Sequence, residues 1–482
     1  MHKARKASIK HSLILLGLVF FIFLPGAAIG DQYATGMAFD DEGYDQVPLT
    51  AKRTRRDYSN LPSAVSLKKY APVPGNQGRY GTCVAWSSGY HARTIAESIR
   101  LDRTNPHASS NHTFSPWHLY ALAHKIGGET RITCKEGMSI DLALLALSKF
   151  GPVRYPNFPT QCLTDLETYG AEDFKPTMAY KNRIYAYSRL HTTDGNNKIR
   201  PVQKSLSEGK PVVFGMLTPR SFHKARGVWQ SREGDLEEAI QKRSGHAMVA
   251  VGYDEDRYGG AFEILNSWGS QWGNSGYMWI RFADWQKFVK YSYEMIEQPR
   301  KASTLAGQLR FVGSDGKEMS AHYTGPYLNH GLVYALDQPY RSGKEFRLHI
   351  SNHEPAWVYA FGLDATEHVF RIFPHQKNIS PYLGYSANNV AIPDEDHYVR
   401  LDQTTGEDYF FFLYSRKKLD FEKIMSETGA VSGGQRFKQL LNALGGKAID
   451  SRGIEFEKSK IAFKAPQAFE SVVVIVVKFK HI

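Results

Sequence analysis

The segment of residues 245–266 constrains the fold most, because its pattern is typical of a β-hairpin. An apolar run follows His246, a turn-forming stretch spans residues 254–260, and a second apolar run occupies residues 261–265. A hairpin with its turn there places His246, at the start of one strand, opposite Asn266, at the end of the other. We therefore expect the Asn266 side chain to lie close enough to orient the His246 imidazole ring.

A second informative segment surrounds Cys83. A glycine-rich turn at residues 74–82 leads into a stretch whose apolar residues recur at helical spacing. The pattern predicts Cys83 at a helix N-terminus, where the helix dipole and free backbone N–H groups favour the thiolate, the form that attacks carbonyl carbons. The Cys83 N–H and the Gln77 side-chain amide could both donate to an oxyanion. Taken alone, Cys83 reads more readily as a buried structural thiol and His246 as a core histidine.

Together, the two segments resemble those of papain-like cysteine peptidases. Residues 77–86 are similar to the family's nucleophile segment, and residues 263–277 are similar to its asparagine segment. The matching positions are Gln77, Gly78, Gly81, Cys83, Asn266, Ser267, Trp268, Gly269, Trp272, Gly273, Gly276 and Tyr277. The chain departs from the family at Tyr80, where most relatives carry a disulfide cysteine, and at Val84, where an aromatic residue is usual.

The resemblance implies an α+β fold with a papain-like helical half and a β-barrel half. It also implies a cysteine endopeptidase that forms an acyl-thioester on Cys83, with His246 as general base and acid and Asn266 as its orienter. Gln77 would lie in the oxyanion hole, and Trp268 would shield the His–Asn hydrogen bond. The expected partner is a polypeptide substrate, with no cofactor or metal. A catalytically silent binding module and a cysteine acyltransferase or transpeptidase are the alternatives.

The loop that begins at Cys134 resembles the family's Cys-Asn-Gly-Gly loop, whose backbone pairs with extended substrate. Gly137 keeps one of the two glycines, and Glu136 replaces the other, so a carboxylate could alter side-chain preference at the nearby subsites. Cys162 stands where the family has a disulfide cysteine. The resemblance therefore implies a Cys134–Cys162 bridge that leaves Cys83 free, and two free structural thiols are the alternative.

The N-terminus predicts export. Residues 1–30 combine a basic start, an apolar run and small residues before a cleavage site, which is typical of a secretory signal peptide. We expect a periplasmic or extracellular protein with no stable membrane insertion after cleavage. Residues 31–60 would be a short linker or pro-segment, too short for the helical pro-segment of most relatives. Its basic cluster at residues 52–56 predicts an exposed, protease-sensitive stretch.

The chain of 482 residues is too long for one core, so two domains are expected. Residues 61–300 would form the peptidase domain. The interval from Cys83 to His246 is long for the family, which implies an insertion, most naturally residues 220–243, beside the cleft.

Residues 305–482 resemble, weakly, an accessory domain of some bacterial exported peptidases. Strand-like runs around a helical insert at residues 419–444 predict a mainly β sandwich or barrel. Its role is either binding of a surface or protein ligand or structural support. Although the formal net charge is +12, the basic residues are scattered, so a nucleic-acid partner is not expected. The strand-like runs are residues 346–350, 358–361, 369–373, 409–414 and 472–479.

Overall fold

The computed structural model describes residues 33–158, 161–167, 179–298, 304–384, 388–431, 435–466 and 471–482, and residues 33–482 belong to one unit. The predicted signal peptide and its cleavage site lie outside these ranges. No helix among the described residues combines the length and the apolar character needed to cross a membrane.

Helices dominate the first part of the chain. Serine caps start two of them: Ser115 Oγ accepts from the His118 N–H, and Ser139 Oγ accepts from the Leu142 N–H. The Cys83 helix changes from α to π geometry at Trp86 and returns to α geometry at Thr94. The described helices of this part are Asp41–Gln46, Arg55–Ser59, Cys83–Ala85, Trp86–Arg93, Thr94–Arg100, Pro106–Ser110, Pro116–Ile126, Ile140–Lys149, Arg200–Ser207, Arg220–Lys224, Asp235–Gln241 and Phe282–Phe288.

The same part of the chain contains an eight-stranded sheet within the described ranges. Its strands are β1 (Ala64–Ser66), β2 (Ala186–Arg189), β3 (Val212–Leu217), β4 (Val228–Trp229), β5 (Gly245–Asp254), β6 (Ala261–Leu265), β7 (Tyr277–Arg281) and β8 (Val289–Ile296). The order is β2-β8-β3-β5-β6-β7-β4, and β1 pairs with β5. β5 and β6 form the predicted hairpin, with Val249 opposite Leu265 and a bulge at Ala250/Gly252. His246 therefore begins one strand, and Asn266 directly follows the other.

Two further sheets fill the C-terminal region, residues 305–482. Their strands are β9 (Leu305–Gly313), β10 (Ala321–Tyr327), β11 (Gly331–Leu336), β12 (Glu345–Asn352), β13 (Ala356–Leu363), β14 (Val369–Phe373), β15 (Tyr382–Leu383), β16 (Asn388–Ile392), β17 (Val399–Arg400), β18 (Gly406–Ser415), β19 (Glu455–Phe456), β20 (Ile461–Ala465) and β21 (Val472–His481). Among the described residues, one sheet has the order β10-β11-β21-β18-β13-β14, with β15 on β13, and the other has β16-β12-β9-β20-β19, with β17 on β12.

The two C-terminal sheets form a sandwich, because their inward side chains share one core. Phe311 of β9 and Phe346 of β12 meet Phe410 of β18 in that core. The predicted helical insert forms two helices, Phe421–Gly429 and Gln435–Ala443, which cover the other face of the seven-stranded sheet. The α+β class, with a mainly β region at residues 305–482, is confirmed.

Residues 48–57, the anchor segment, run between the part of the chain that holds β1 to β8 and the C-terminal region. Arg53 is 3% exposed and Thr54 is 6% exposed, so the expectation of an exposed basic stretch is wrong at these two positions. The physical reason is that the backbone of this segment hydrogen-bonds to residues that lie far along the chain, which sequence periodicity does not report. Lys52, Arg55 and Arg56 are exposed as expected.

Candidate active site

Cys83 lies at the start of its helix and is fully buried. The backbone of Ala247, the residue after His246, hydrogen-bonds to the Cys83 thiol and so places the sulfur beside the start of β5. Burial raises the pKa of the Cys83 thiol to about 12, although the backbone hydrogen bonds from Ala247 and Val84 oppose that rise. The sequence led us to expect that the helix N-terminus favours the thiolate. In the structure, burial of the thiol has the larger effect on its pKa, so the neutral thiol is favoured.

His246 is joined to Asn266 as the hairpin register predicts. The His246 Nε2 lies 2.7 Å from Asn266 Oδ1, which also accepts from the Ser267 N–H at 2.7 Å. Because Oδ1 is an acceptor, Nε2 must carry the proton, so Nδ1 of the neutral ring is a proton acceptor. Among the described residues, Nδ1 is buried without a hydrogen-bond partner. Burial lowers the pKa of His246 to about 3, which the Asn266 hydrogen bond only partly offsets.

The Trp268 indole covers this pair. Its ring stacks on the His246 ring with a centroid separation of 4.4 Å and an interplanar angle of 23°. Trp268 is 3% exposed, and His246 and Asn266 are fully buried. The indole therefore keeps water away from the His–Asn hydrogen bond, the role that the family resemblance implied.

Three hydrogen bonds hold the side-chain amide of Gln77 in a fixed orientation. Its Oε1 accepts from Ser267 Oγ at 2.6 Å, and its Nε2 donates to Tyr80 O at 2.9 Å. The other Nε2 hydrogen points to the carbonyl oxygen of Ala34 at 3.1 Å. One amide N–H is thus presented to a peptide carbonyl, as an oxyanion-hole donor requires. The contribution of Ser267 was not predicted, since a serine after an asparagine carries no local signal of this contact.

Residues 33–40, which we call the strap, lie across the site. The Tyr33 ring stacks on Trp268 at 4.8 Å, and the Trp268 Nε1–H donates to Ala34 O at 2.8 Å. The N–H groups of Gly36 and Met37 both donate to Gly245 O, at 3.3 and 3.1 Å. The strap therefore occupies the space above the residues that the sequence assigned to catalysis, and its Ala34 carbonyl lies where Gln77 would stabilise an oxyanion.

The strap also pairs with the loop after Cys134. The Met138 N–H donates to Gly36 O at 3.0 Å, and the Ala38 N–H donates to Met138 O at 3.0 Å. The fit leaves no space for a side chain at Gly36, because a Cβ there would lie 2.2 Å from the carbonyl oxygen of Gly81. A Cβ at Gly137 would lie 2.7 Å from Gly36 O. The loop that the resemblance assigned to substrate pairing is thus engaged by the chain's own backbone.

Glu136 is engaged within its own loop. Its carboxylate accepts from the Thr133 N–H, from Thr133 Oγ1 at 2.7 Å and from the Lys135 N–H at 3.1 Å. Burial raises the pKa of Glu136, but these hydrogen bonds outweigh burial, so its net pKa is lowered. The carboxylate therefore organises the loop. A disulfide joins Cys134 to Cys162, and Cys83 is the free cysteine.

The expected insertion, residues 220–243, contacts the site. Its helix Arg220–Lys224 places Phe222 and His223 against Trp268, with ring centroids 6.0 and 4.9 Å from the indole. The His223 imidazole also lowers the pKa of His246 electrostatically. Sequence spacing placed this insertion beside the cleft, but it did not identify His223 as a neighbour of the candidate base.

Comparison with known proteins supports the interpretation of this geometry. Residues 161–293 match the family model of papain family cysteine proteases, a segment that contains His246 and Asn266 but begins after Cys83. The chain is 26% identical over 222 residues to an uncharacterized peptidase C1-like protein of Acanthamoeba polyphaga mimivirus, covering 44% of this chain and 66% of that protein. It is 26% identical over 229 residues to ananain of Ananas comosus, covering 46% of this chain and 56% of ananain.

The matched segments thus span less than two thirds of the length of these two relatives. Among solved structures, xylellain, a cysteine protease from Xylella fastidiosa, aligns with 55% of this chain and 96% of its own length, at 20% identity and a TM-score of 0.43. The matched family segment contains the His246–Asn266 pair, and the backbone of Ala247, the residue after His246, hydrogen-bonds to the Cys83 thiol. Residues 161–293 are therefore similar to the papain family of cysteine proteases, and a mainly β region follows them at residues 305–482.

Proposed function

We propose that this protein is a cysteine endopeptidase that hydrolyses extended polypeptides, with Cys83 as nucleophile, His246 as general base and acid, Asn266 as orienter and Gln77 as oxyanion donor. The observation that carries the proposal is the 2.7 Å hydrogen bond from His246 Nε2 to Asn266 Oδ1. It leaves Nδ1 as a buried acceptor on β5, the strand whose Ala247 backbone hydrogen-bonds to the Cys83 thiol, and proton transfer from that thiol requires such an acceptor.

In the proposed reaction, the Cys83 sulfur attacks the scissile carbonyl carbon while its proton passes to His246 Nδ1. The Gln77 amide stabilises the negative oxygen of the tetrahedral intermediate. Collapse breaks the C–N bond, and the proton on Nδ1 moves to the leaving amine, which gives an acyl-thioester. Water then gives a proton to Nδ1 and attacks the thioester, and the second collapse releases the acid and restores the thiol.

The strap bears directly on this activity. With residues 33–40 in place, burial raises the pKa of Cys83 to about 12 and lowers that of His246 to about 3, so both groups are uncharged. Substrate and strap would compete for the Gln77 amide and the Met138 backbone. We infer that the closed form is latent and that catalysis follows displacement of the strap.

A peptide-library digest would test the proposed function. Because a Cβ at residue 36 collides with Gly81, Gly36→Ala should expel the strap, and this variant should cleave peptides. Adding Cys83→Ala should abolish cleavage, and adding Asn266→Ala should reduce kcat. If folded, reduced Gly36→Ala protein neither cleaves peptides nor is alkylated at Cys83 by an active-site-directed epoxide, the silent binding module is supported instead. Aminolysis products with a competing amine would indicate acyl transfer.

We also propose export through removal of residues 1–30, on the composition of that segment alone. Determination of the N-terminus of protein recovered outside the cytoplasm tests this proposal. An intact Met1 there would contradict it.

A further inference from the structure

The C-terminal region binds the anchor segment along its length. The Leu49 N–H donates to Asn378 O at 2.7 Å, and the Ser380 N–H donates to Leu49 O at 2.7 Å. The Ala51 side chain, 2% exposed, belongs to the hydrophobic core of the C-terminal sandwich. The anchor segment is therefore an integral part of the C-terminal region, held by backbone hydrogen bonds and by a buried apolar contact.

Polar contacts continue this attachment towards residue 57. The Thr54 N–H donates to Asn389 O at 3.0 Å, and the Asn389 N–H donates to Asp57 Oδ2 at 3.0 Å. Arg55 contributes two contacts, since its N–H donates to Glu395 Oε2 at 2.6 Å and its guanidinium pairs with Asp396 at 2.5 Å. These contacts fix the anchor segment at several points.

Residues 41–47 connect the strap directly to the anchor segment, and they are ordered by contacts with the first part of the chain. Helix Asp41–Gln46 buries Tyr44 in the peptidase core, where its hydroxyl donates to His191 O at 2.7 Å. Arg189 binds the two residues that follow the helix. Its N–H donates to Pro48 O at 3.0 Å, and its Nε donates to Val47 O at 2.9 Å. The strap, this connection and the anchor segment therefore form one continuous, ordered path, and the contacts at each point along it add to the hold on the strap.

We propose that the C-terminal region serves as the anchor of the strap and thereby keeps the catalytic cleft closed, an inference that rests on the proposed peptidase function of that cleft. Its ligand is residues 48–57 of the same chain. Because residues 48–57 are bound to the C-terminal region, the strap stays near the cleft at a high effective concentration. The cleft therefore opens only briefly. Weakening the anchor should raise the fraction of molecules with an open cleft.

The test uses the full chain and the rate at which iodoacetamide alkylates Cys83 under non-reducing conditions, followed by mass spectrometry. Cys83 is the free cysteine, so the signal is specific, and the rate reports how often the cleft opens whether or not the protein is a peptidase. Ala51→Asp puts a charge into the shared core and should accelerate labelling about tenfold, equivalent to about 1.4 kcal/mol.

The double variant Arg55→Ala/Asp57→Ala removes exposed contacts and leaves the C-terminal core intact, so it separates anchoring from folding. It should accelerate labelling about threefold. Arg452→Ala, which removes an exposed pair with Asp450 elsewhere in the region, is the matched control and should match the wild type. Val477→Ala weakens the C-terminal core away from the anchor segment and should accelerate labelling less than Ala51→Asp.

Gly36→Ala is the positive control for an open cleft. If it labels fast while both anchor variants label at the wild-type rate, the strap closes the cleft without help from the C-terminal region and the inference is wrong. If Val477→Ala labels as fast as Ala51→Asp, loss of core stability explains the effect and the inference also fails. Faster labelling of the anchor variants without peptide cleavage would uphold the anchor and refute the peptidase.

Discussion

At the scale of single residues, the environment of Gln77 depends on Ser267. The Ser267 hydroxyl donates to Gln77 Oε1 at 2.6 Å, and Tyr80 O holds one of the two Nε2 hydrogens. The second Nε2 hydrogen is then directed at the carbonyl oxygen of Ala34. In the proposed mechanism Ser267 acts through Gln77, so we describe it as a positioning residue of the proposed oxyanion donor.

Ser267→Ala should lower kcat about tenfold with little change in KM, because the unanchored amide meets the oxyanion in the right orientation only part of the time. The measurement is steady-state kinetics in the Gly36→Ala background. Gln77→Ala supplies the control: adding Ser267→Ala to it should cost nothing further, since the group being positioned is gone. Additive losses would show that Ser267 acts by another route.

A second triad-like arrangement, Ser342, His481 and Asp408, is structural. Ser342 Oγ lies 3.1 Å from His481 Nε2, and His481 Nδ1 lies 3.4 Å from Asp408. The nearby amides that could form an oxyanion hole are already used, since the Ser342 N–H donates to Ile482 O and the Gly343 N–H donates to Leu401 O. The arrangement fixes the C-terminus.

Ser342→Ala should therefore leave peptide cleavage unchanged and lower thermal stability only slightly, because a single partly exposed hydroxyl is lost. A fluorophosphonate probe, which reacts with activated serines, should not label the wild type at Ser342. Labelling at that residue would contradict the structural interpretation.

At the scale of elements, Glu97 ties the Cys83 helix to the segment around Arg154. Its carboxylate, on a side chain that is 4% exposed, pairs with Arg154 and Arg103 at 2.8 and 2.9 Å. Burial raises the pKa of Glu97, but the arginines outweigh burial, so its net pKa lies below the ordinary 4.5. A lowered folded pKa stabilises the fold above the unfolded value, and this stabilisation is lost as the pH falls through the folded value.

Glu97→Gln should reduce the free energy of unfolding by about 2 kcal/mol at pH 7, since hydrogen bonds to a charged group are lost. The difference from the wild type should shrink as the pH falls below about 4.5. Urea unfolding at pH 7 and at successively lower pH measures both quantities. A difference that stays constant with pH would mean that the charge of Glu97 is irrelevant to stability.

The disulfide between Cys134 and Cys162 closes an interval of 28 residues and holds the loop that pairs with the strap. Replacing both cysteines by serine should lower the free energy of unfolding by about 3 kcal/mol, chiefly by freeing the unfolded chain. Chemical denaturation measures this loss, with the wild type in reducing agent as the control. An unchanged midpoint would show that the bridge contributes nothing.

Short-range sequence patterns predicted the helices and strands that depend on the order of neighbouring residues. The hairpin followed from apolar runs around a turn, and the Cys83 helix followed from apolar spacing after glycines, although its π stretch at Trp86–Arg93 has no comparable signature. The strap could not be predicted, because Ala34 and Gly36 act through backbone groups that every residue type carries. The burial of Arg53, whose Nη1 donates to the carbonyl oxygen of Ala51, is likewise a feature of the folded chain that residue type does not report.

At the scale of the whole molecule, the basic residues of the anchor segment offer a test of how the two parts hold together. Lys52, Arg55 and Arg56 are exposed, whereas Arg53 and Thr54 are buried. Brief trypsin treatment should first cut after one of the three exposed residues.

The N-terminal fragment should remain bound after that cut, because the strap, Tyr44 and Arg189 contacts are intact. Size-exclusion chromatography followed by mass spectrometry checks whether the fragment elutes with the protein, and denaturant provides the control for its release. Immediate loss of the fragment would show that the contacts of residues 33–51 are too weak to hold it.

The anchor segment and the residues that bind it, 378–396, lie far apart along the chain, and this separation has a consequence for biosynthesis. Arg55 and Glu395 are 340 positions apart, yet their contact helps to seat the anchor segment. During synthesis, the strap and the peptidase part emerge long before residues 378–396 exist. Until those residues are made, only the contacts of residues 33–47 can hold the strap over the proposed catalytic cleft, so a chain released early by the ribosome should keep its cleft less tightly closed.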